Sequence, residues 1–196
     1  MVSRSRLSRL IDAPPHRRCF GALAIVEVAL VVLALASTPL APAALAPAGL
    51  AWIGGLAGWT LVEYLLHRFA FHLPRAHPLS RLGARQHLDH HDAPDRPPIT
   101  KPLHLTLPAI GVASTAAWLV GPIALAVVSG LVGGYLAYEL LHVAAHVLPE
   151  DHPFPALQRG HLAHHRDARA WFGITSPVWD HVMGTAGPPP CHRPRR

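Results

Sequence analysis

The sequence predicts an all-α integral membrane protein with about four transmembrane helices and a histidine-rich cytoplasmic cap. Of its 196 residues, 51% are hydrophobic and only 14% are charged, which is too apolar for an ordinary soluble domain. Four apolar runs, at residues 20–36, 48–66, 103–120 and 123–141, approach or reach the roughly 17 to 25 residues that a helix needs to cross a bilayer. All 17 lysines and arginines fall on one side of the resulting four-span layout.

The elements follow in order from these runs. Residues 1–19 form a basic N-terminal segment, residues 20–185 the membrane domain, and residues 186–196 a Pro/Arg-rich tail. The first run exceeds the roughly 7 to 15 apolar residues of a signal peptide, so we expect it to be retained as a helix. By the positive-inside rule, both termini and the 72–102 loop are expected in the cytoplasm, with a bacterial inner membrane as the expected location.

The histidines occur in a pattern that repeats along the chain. "HLDHH" at 87–91 and "HLAHH" at 161–165 each begin 15 residues after another histidine, His72 or His146. Each of these histidines follows an apolar run that ends with a glutamate and a pair of leucines before a further histidine, His67 or His142. An internal duplication, or convergence on one geometry, is the simplest account of this match.

The patterned histidines are expected to converge at one membrane face and to bind metal. Crowded imidazoles are costly when they protonate or stay unpaired, whereas a cation removes this cost and imidazole is a common metal ligand. We expect one helical turn to direct all three histidines of each five-residue motif towards a common point. Ten ligands overfill one coordination sphere, so two ions are predicted. The predicted ligands are His67, His72, His87, His90, His91, His142, His146, His161, His164 and His165.

Two glutamates lie one helical turn before histidines of this set. Glu63 precedes His67 and Glu139 precedes His142. Carboxylates in or near a bilayer are usually functional. We expect each to accept the second ring N–H of its histidine and thereby to orient that ligand; direct metal binding is the alternative.

Four stretches make the sequence recognisable: "EYLLHRFAFH", "QHLDHHDAPDRPPI", "YELLHVAAH" and "RGHLAHHRDARAWFGITSPVWDHVMGT". They resemble the successive boxes of the fatty acid hydroxylase / sterol desaturase superfamily over roughly residues 52–185. "HRFAFH" and "FGITSPVWD" are most similar to the fatty acid 2-hydroxylase branch. The resemblance implies a di-iron-type membrane monooxygenase that hydroxylates a lipid acyl chain, at carbon 2, with O2 and supplied electrons.

The resemblance also carries over to site residues. It implies metal ligation by the same ten histidines, with two iron ions as cofactors and zinc as a substitute in purified protein. At Glu139 the family commonly has aspartate. Asp180 matches a recurrent acidic residue, and we expect it to act as a cap or hydrogen-bond anchor for the C-terminal fold.

The implied partners are a lipid or fatty acyl substrate, O2, the bilayer and a separate electron donor such as a ferredoxin, cytochrome or reductase. A separate donor is expected because the short segment before the first span has no room for a haem domain. The net charge of +6 is interpreted as a topology signal, so no nucleic acid partner is expected. The alternative functions are a carotenoid ring hydroxylase, a sterol methyl oxidase and a metal-binding membrane module without oxygenase activity. Zinc transport is disfavoured because transport sites lie near the bilayer midplane.

Overall fold

The structure is a computed structural model that describes residues 12–94, 96–148 and 155–187. The α-helices are α1 (Pro14–Ala36), α2 (Pro42–Leu65), α3 (Ala84–Asp92), α4 (Leu103–Val120), α5 (Pro122–Val147), α6 (Pro155–His164) and α7 (Val178–Val182). A π-helical turn, Leu66–Phe71, extends α2, and a 3₁₀ turn, Pro78–Leu82, precedes α3. No β-strand occurs in these three ranges, which confirms the all-α prediction.

Four of these helices are long and apolar enough to cross a membrane: α1, α2 with its π-helical turn, α4 and α5. Both α1 and α2 begin earlier than the apolar runs, at Pro14 and Pro42. Proline is favoured at the first helical position because the N–H that it lacks has no partner there. The proposed division of the chain at residues 19 and 185 stays a prediction, and residues 1–11 and 188–196 of its two terminal segments lie outside the described ranges.

Contacts between the long helices define two ends of the bundle. At one end, Leu30 and Ala34 of α1 pack with Ala117 of α4 and Leu125 of α5. At the other end, the Ile99 backbone N–H donates to the His16 Nε2 atom at the start of α1, over 2.9 Å.

Ile99 precedes α4 and packs with Val143 and Val147 near the end of α5. The helix α2 runs in the same direction as α5, because Gly55 meets Gly130 and Trp59 meets Gly134. The beginning of α1, the end of α2, the beginning of α4 and the end of α5 therefore lie at the same end. We call it the histidine end.

The helices α2 and α5 approach closely at glycines. A Cβ atom on Gly55 would lie 2.2 Å from the Val127 carbonyl oxygen, and one on Gly130 would lie 2.1 Å from the Trp52 carbonyl oxygen. Small residues at a membrane helix interface allow this backbone contact. Because the π-helical turn that extends α2 carries His67, and α5 carries His142 and His146, this contact brings the two sequence copies side by side.

Candidate metal centre

The ten predicted ligands lie at the histidine end in two groups of five, within which the possible ligand atoms are all within 4.8 Å of one another. The first set is His67, His72, His87, His91 and His164. The second set is His90, His142, His146, His161 and His165. The predicted convergence of these side chains is therefore observed, together with a grouping that the sequence analysis left open.

The two sequence copies exchange one histidine between the sets. His90 of the first copy joins the second set, and His164 of the second copy joins the first set. The expectation that all three histidines of "HLDHH" or "HLAHH" face a common point is therefore wrong. Successive residues on an α-helix are turned by about 100°, so positions i and i+4 stay together while position i+3 turns towards the neighbouring set.

The π-helical turn at the end of α2 aligns two ligands of the first set. His67 and His72 are five residues apart, and in an α-helix they would point about 140° apart. Because the i→i+5 hydrogen bonding of a π-helix widens the turn, both side chains reach the same set. The equivalent pair on α5, His142 and His146, is four residues apart and needs no such widening.

The spacing of the imidazole nitrogens suits a metal ion. In the first set, the Nε2 atoms of His72 and His164 are 3.0 Å apart, and in the second set those of His142 and His90 are 3.0 Å apart. Nitrogens bound at about 2.1 Å and at right angles to one another would be about 3.0 Å apart, against about 3.4 Å for a tetrahedral ion. Five ligands at this spacing fit a five- or six-coordinate metal better than a tetrahedral one.

Backbone carbonyl groups fix the ring orientation of two ligands in the first set. The Nδ1 atom of His67 lies 2.5 Å from the Phe172 oxygen, and that of His164 lies 2.7 Å from the Ala170 oxygen. A carbonyl oxygen only accepts, so each Nδ1 atom carries the hydrogen and each Nε2 atom turns a lone pair towards the set. Inward-facing lone pairs repel each other unless a cation binds between them, so the donor set fits a metal.

The loop that supplies these carbonyl groups is itself held by acidic side chains. Between the two carbonyl groups, Trp171 adopts φ 58°, a left-handed conformation that is unusual for a bulky residue. The Asp180 carboxylate accepts from the backbone N–H groups of Phe172 and Gly173, each over 2.8 Å. Asp180 therefore has the contacts of the predicted hydrogen-bond anchor, and it acts on His67 through Phe172.

The predicted hydrogen bond between Glu63 and His67 is absent from the described contacts, and that prediction is wrong. The Glu63 carboxylate instead accepts from the backbone N–H groups of Ile174 and Thr175 and from the Thr175 hydroxyl group. The physical reason is that these N–H groups lie in a buried loop where they need acceptors. Glu63 therefore reaches the first set only through the loop that orients His67.

Glu139 also contacts partners other than the predicted one. Its Oε1 atom accepts from the Tyr135 hydroxyl over 2.6 Å and from the Lys101 backbone N–H over 2.9 Å, while the Nδ1 atom of His142 has no hydrogen-bond partner in the part of the chain that the structure describes. The predicted Glu139–His142 hydrogen bond is therefore wrong. The backbone N–H of Lys101, just before α4, donates to the Glu139 carboxylate instead. This hydrogen bond fixes Lys101 against α5.

Burial keeps the ligands neutral. Because burial disfavours the imidazolium form, it lowers the pKa of His72 and of His91 to about 4 and that of His164 to about 3. The nearby Lys101 charge contributes to the lowered pKa of His72 and of His91. Neutral imidazole is the form that binds metal, so burial prepares these side chains as ligands.

These pKa shifts predict a pH-dependent stability. Folded-state pKa values lie below the ordinary value of 6.5, so unfolding takes up protons, and stability that is present above about pH 6.5 is lost as the pH falls towards 4. We expect chelator-treated protein to melt at a lower temperature at about pH 5 than at about pH 7.5. An unchanged melting temperature would contradict this expectation.

A family comparison agrees with this site. The fatty acid hydroxylase family model matches residues 52–185, a range that holds all ten histidines and the loop that orients them. The chain belongs to the fatty acid hydroxylase family. The resemblance found in the sequence is thereby confirmed.

Individual relatives of this fatty acid hydroxylase family member carry specific names. A ceramide very long chain fatty acid hydroxylase of Schizosaccharomyces pombe is 36% identical over 143 residues, which cover 68% of this chain and 41% of the relative. A dihydroceramide fatty acyl 2-hydroxylase of Arabidopsis thaliana is 32% identical over 145 residues, covering 67% of this chain and 58% of the relative. A human fatty acid 2-hydroxylase is 31% identical over 148 residues, covering 68% and 38%. The chain thus spans about two fifths to three fifths of these relatives.

The fold of this fatty acid hydroxylase family member also matches a solved structure. Full-length scs7p, in which only the hydroxylase domain is visible, superposes with a TM-score of 0.67 at 30% sequence identity. The match covers 89% of this chain and 67% of the other chain.

A cavity of about 430 Å³ lies beside the first histidine set of this fatty acid hydroxylase family member. Residues of α2, α4 and α5 form its mainly apolar wall, including Val62, Leu105 and Val128. At the histidine end it is bounded by Phe71 and Lys101, and both side chains contact His87.

Lys101 is a residue of this site that the sequence did not predict, because in the sequence Lys101 is only one of the basic residues that set the topology. Burial lowers the pKa of its ammonium group, while the nearby Glu139 charge opposes this change. Its signal in the sequence is that it is the only lysine among 17 basic residues. It also directly precedes an apolar helix.

Proposed function

We propose that this chain is a membrane-bound oxygenase that hydroxylates a lipid acyl chain, at carbon 2, with two iron ions, O2 and electrons from a separate donor. The observation that carries this proposal is the position of two five-histidine sets beside an apolar cavity. The names of the relatives support an acyl substrate. A bacterial inner membrane with both termini in the cytoplasm is part of the proposal, and residues 20–185 form the proposed functional unit.

The protein's own contribution is to hold the metal and to keep its ligands in place. The ten histidines would bind one ion in each set, and iron bound there supplies the activation of O2 for attack on an unactivated C–H bond. The loop around Phe172 orients His67 through a backbone carbonyl group. Glu63 and Asp180 hold that loop, so both carboxylates are proposed to act behind the ligands.

The cavity provides room for part of an acyl chain. Its volume of about 430 Å³ lies within the roughly 300 to 1,000 Å³ of typical ligand sites. Its wall is mainly apolar, and at its boundary Phe71 and Lys101 contact His87 of the first set. The part of a substrate that lies at this boundary is therefore the part nearest the histidines, which supports reaction near one end of the chain.

The charge at the histidine end favours an acidic electron donor. Arg81, Arg85, Arg159 and Arg166 lie on or next to the short helices that carry the two five-residue histidine motifs. Complementary charge steers protein partners towards one another. A ferredoxin, cytochrome or reductase with an acidic surface is the proposed class of donor.

Lipid mass spectrometry tests the proposed function. We expect cells that express the chain to contain 2-hydroxy acyl lipids, and we expect cells that express His164→Ala at the same level to lack them, because the first set loses a ligand. The absence of 2-hydroxy lipids from the wild-type strain would contradict the proposal.

A pigment-producing host separates the main alternatives. Hydroxylated carotenoid in that host, without 2-hydroxy lipid, would favour a carotenoid ring hydroxylase. Purified, metal-loaded protein that consumes no O2 with a reductant and lipid would favour a metal-binding module.

A further inference from the structure

We infer that Lys101 binds the oxygen of the substrate's acyl carbonyl group and thereby selects the carbon that is hydroxylated. This inference rests on the proposed function, and it names the end of the acyl chain that the cavity recognises. Lys101 is the only cation that lines the cavity among the residues described by the structure.

Lys101 is held in a defined position. Its backbone N–H donates to Glu139, and its side chain is buried, with 5% of the residue exposed. Its Nζ atom lies 3.3 Å from the His87 Nδ1 atom and 3.9 Å from the centre of the Phe71 ring. The ammonium group therefore lies between the cavity and a ligand of the first set.

Among the described residues, the only hydrogen-bond partner of the Lys101 Nζ atom is the His87 Nδ1 atom. When His87 binds metal through Nε2, its neutral ring carries hydrogen on Nδ1, and this atom no longer accepts a hydrogen bond. Within the described ranges, no carboxylate oxygen is paired with Nζ at a distance of 4.0 Å or less. Because a buried cation without an acceptor is costly, an oxygen atom entering the cavity would bind there favourably.

The position of this oxygen would fix the reacting carbon. In an acyl group, carbon 2 lies two bonds from the carbonyl oxygen, at a distance of about 2.4 Å. The Nζ atom contacts His87 at Nδ1, and the Nε2 atom of the same ring lies 3.2 Å from that of His72 in the first set. An oxygen held by Lys101 therefore places carbon 2 near that set, while the apolar tail extends along the cavity wall towards Ala113 and Val128.

The charge of Lys101 also predicts a preference among substrates. A hydrogen bond between two charged groups is stronger than one to a neutral carbonyl oxygen. We therefore expect a free carboxylate to bind more tightly than the amide of the same chain length, although both offer the oxygen that Lys101 recognises.

Ligand binding to purified, metal-loaded protein tests the inference. The affinities of hexadecanoic acid and hexadecanamide are measured by displacement of a fluorescent fatty acid. We expect Lys101→Met to weaken binding of the acid by about 10- to 100-fold, the effect of losing one charge-assisted hydrogen bond, and to weaken binding of the amide less. Lys101→Arg should retain most of the affinity.

Thr115→Val is the matched control. Thr115 lies on helix α4 but is exposed and does not line the cavity, and its hydroxyl group donates to the Gly111 carbonyl oxygen, so both affinities should stay unchanged. Metal content and melting temperature show whether each variant is folded. In cells, Lys101→Met should also lower the share of 2-hydroxy product and raise the share hydroxylated at other positions.

The outcomes separate the two proposals. Equal affinity of Lys101→Met and wild type for hexadecanoic acid would overturn the role of Lys101, even if wild-type cells contain 2-hydroxy lipids. Weakened binding by Lys101→Met, together with wild-type cells that lack 2-hydroxy lipids, would support Lys101 as the acyl-oxygen site and contradict the proposed reaction.

Discussion

Replacing His142 by alanine should remove about one metal ion per chain and abolish hydroxylation. His142 is fully buried, and its Nε2 atom lies 3.0 Å from that of His90 within the second set. Loss of a direct ligand should exceed the roughly 10- to 100-fold effects seen when only the outer partners of a metal ligand are changed. Metal analysis of the purified protein and lipid mass spectrometry of the expressing cells measure the two effects.

The corresponding experiment on the first set replaces His87. His87→Ala should also remove about one ion, because the structure places His87 and His142 in different sets of five; the combined variant should retain almost none. His104→Ala is the control, since this histidine is exposed near the start of α4 and belongs to neither set. Loss of both ions from either single variant would contradict two independent binding positions.

The second large effect concerns the contact between α2 and α5. We expect Gly55→Ala to destabilise the protein by roughly 1 to 3 kcal/mol or more, because the added methyl group forces the packed helices apart. A Cβ atom at this position would lie 2.2 Å from the Val127 carbonyl oxygen, and backbone cannot move aside as a flexible side chain does. Thermal unfolding in detergent, followed by the helical signal, measures the change.

The neighbouring glycine provides a matched control. A Cβ atom on Gly54 would meet nothing within 4 Å, so Gly54→Ala should be neutral or slightly stabilising, since alanine favours a helix over glycine. Equal melting temperatures for the two variants would show that the close approach at Gly55 does not limit stability. A lower metal content in Gly55→Ala alone would link this packing to the histidine end.

The sequence predicted most of what depends on local pattern. The four long helices follow from the length of the apolar runs, and the ten histidines from their repeated spacing. The membership of the sets depends on helix rotation, which separates His90 from His91 by about 100°. A match between the two sequence copies does not show towards which set each side chain is turned.

The hydrogen-bond donors that contact Glu63 and Glu139 also could not be predicted from the neighbouring sequence. The Glu63 carboxylate accepts from a loop about 110 residues later in the chain, so a prediction based on the nearest histidine chose the wrong donor. Lys101 was missed for a related reason. Its burial depends on α5 and on the Glu139 carboxylate, whereas its sequence context suggested only a charge at the membrane surface.

The exchange of His90 and His164 between the sets bears on the ancestry of the fold. Each copy supplies four ligands to one set and only one to the other, so a single copy by itself would leave its site one histidine short. Two separate copies related by a twofold axis would complete both sites by the same exchange. On the internal-duplication account of the sequence match, an ancestral half-length chain would have needed to pair before it held a full ligand set, and fusion of the two genes would then have made that pairing permanent.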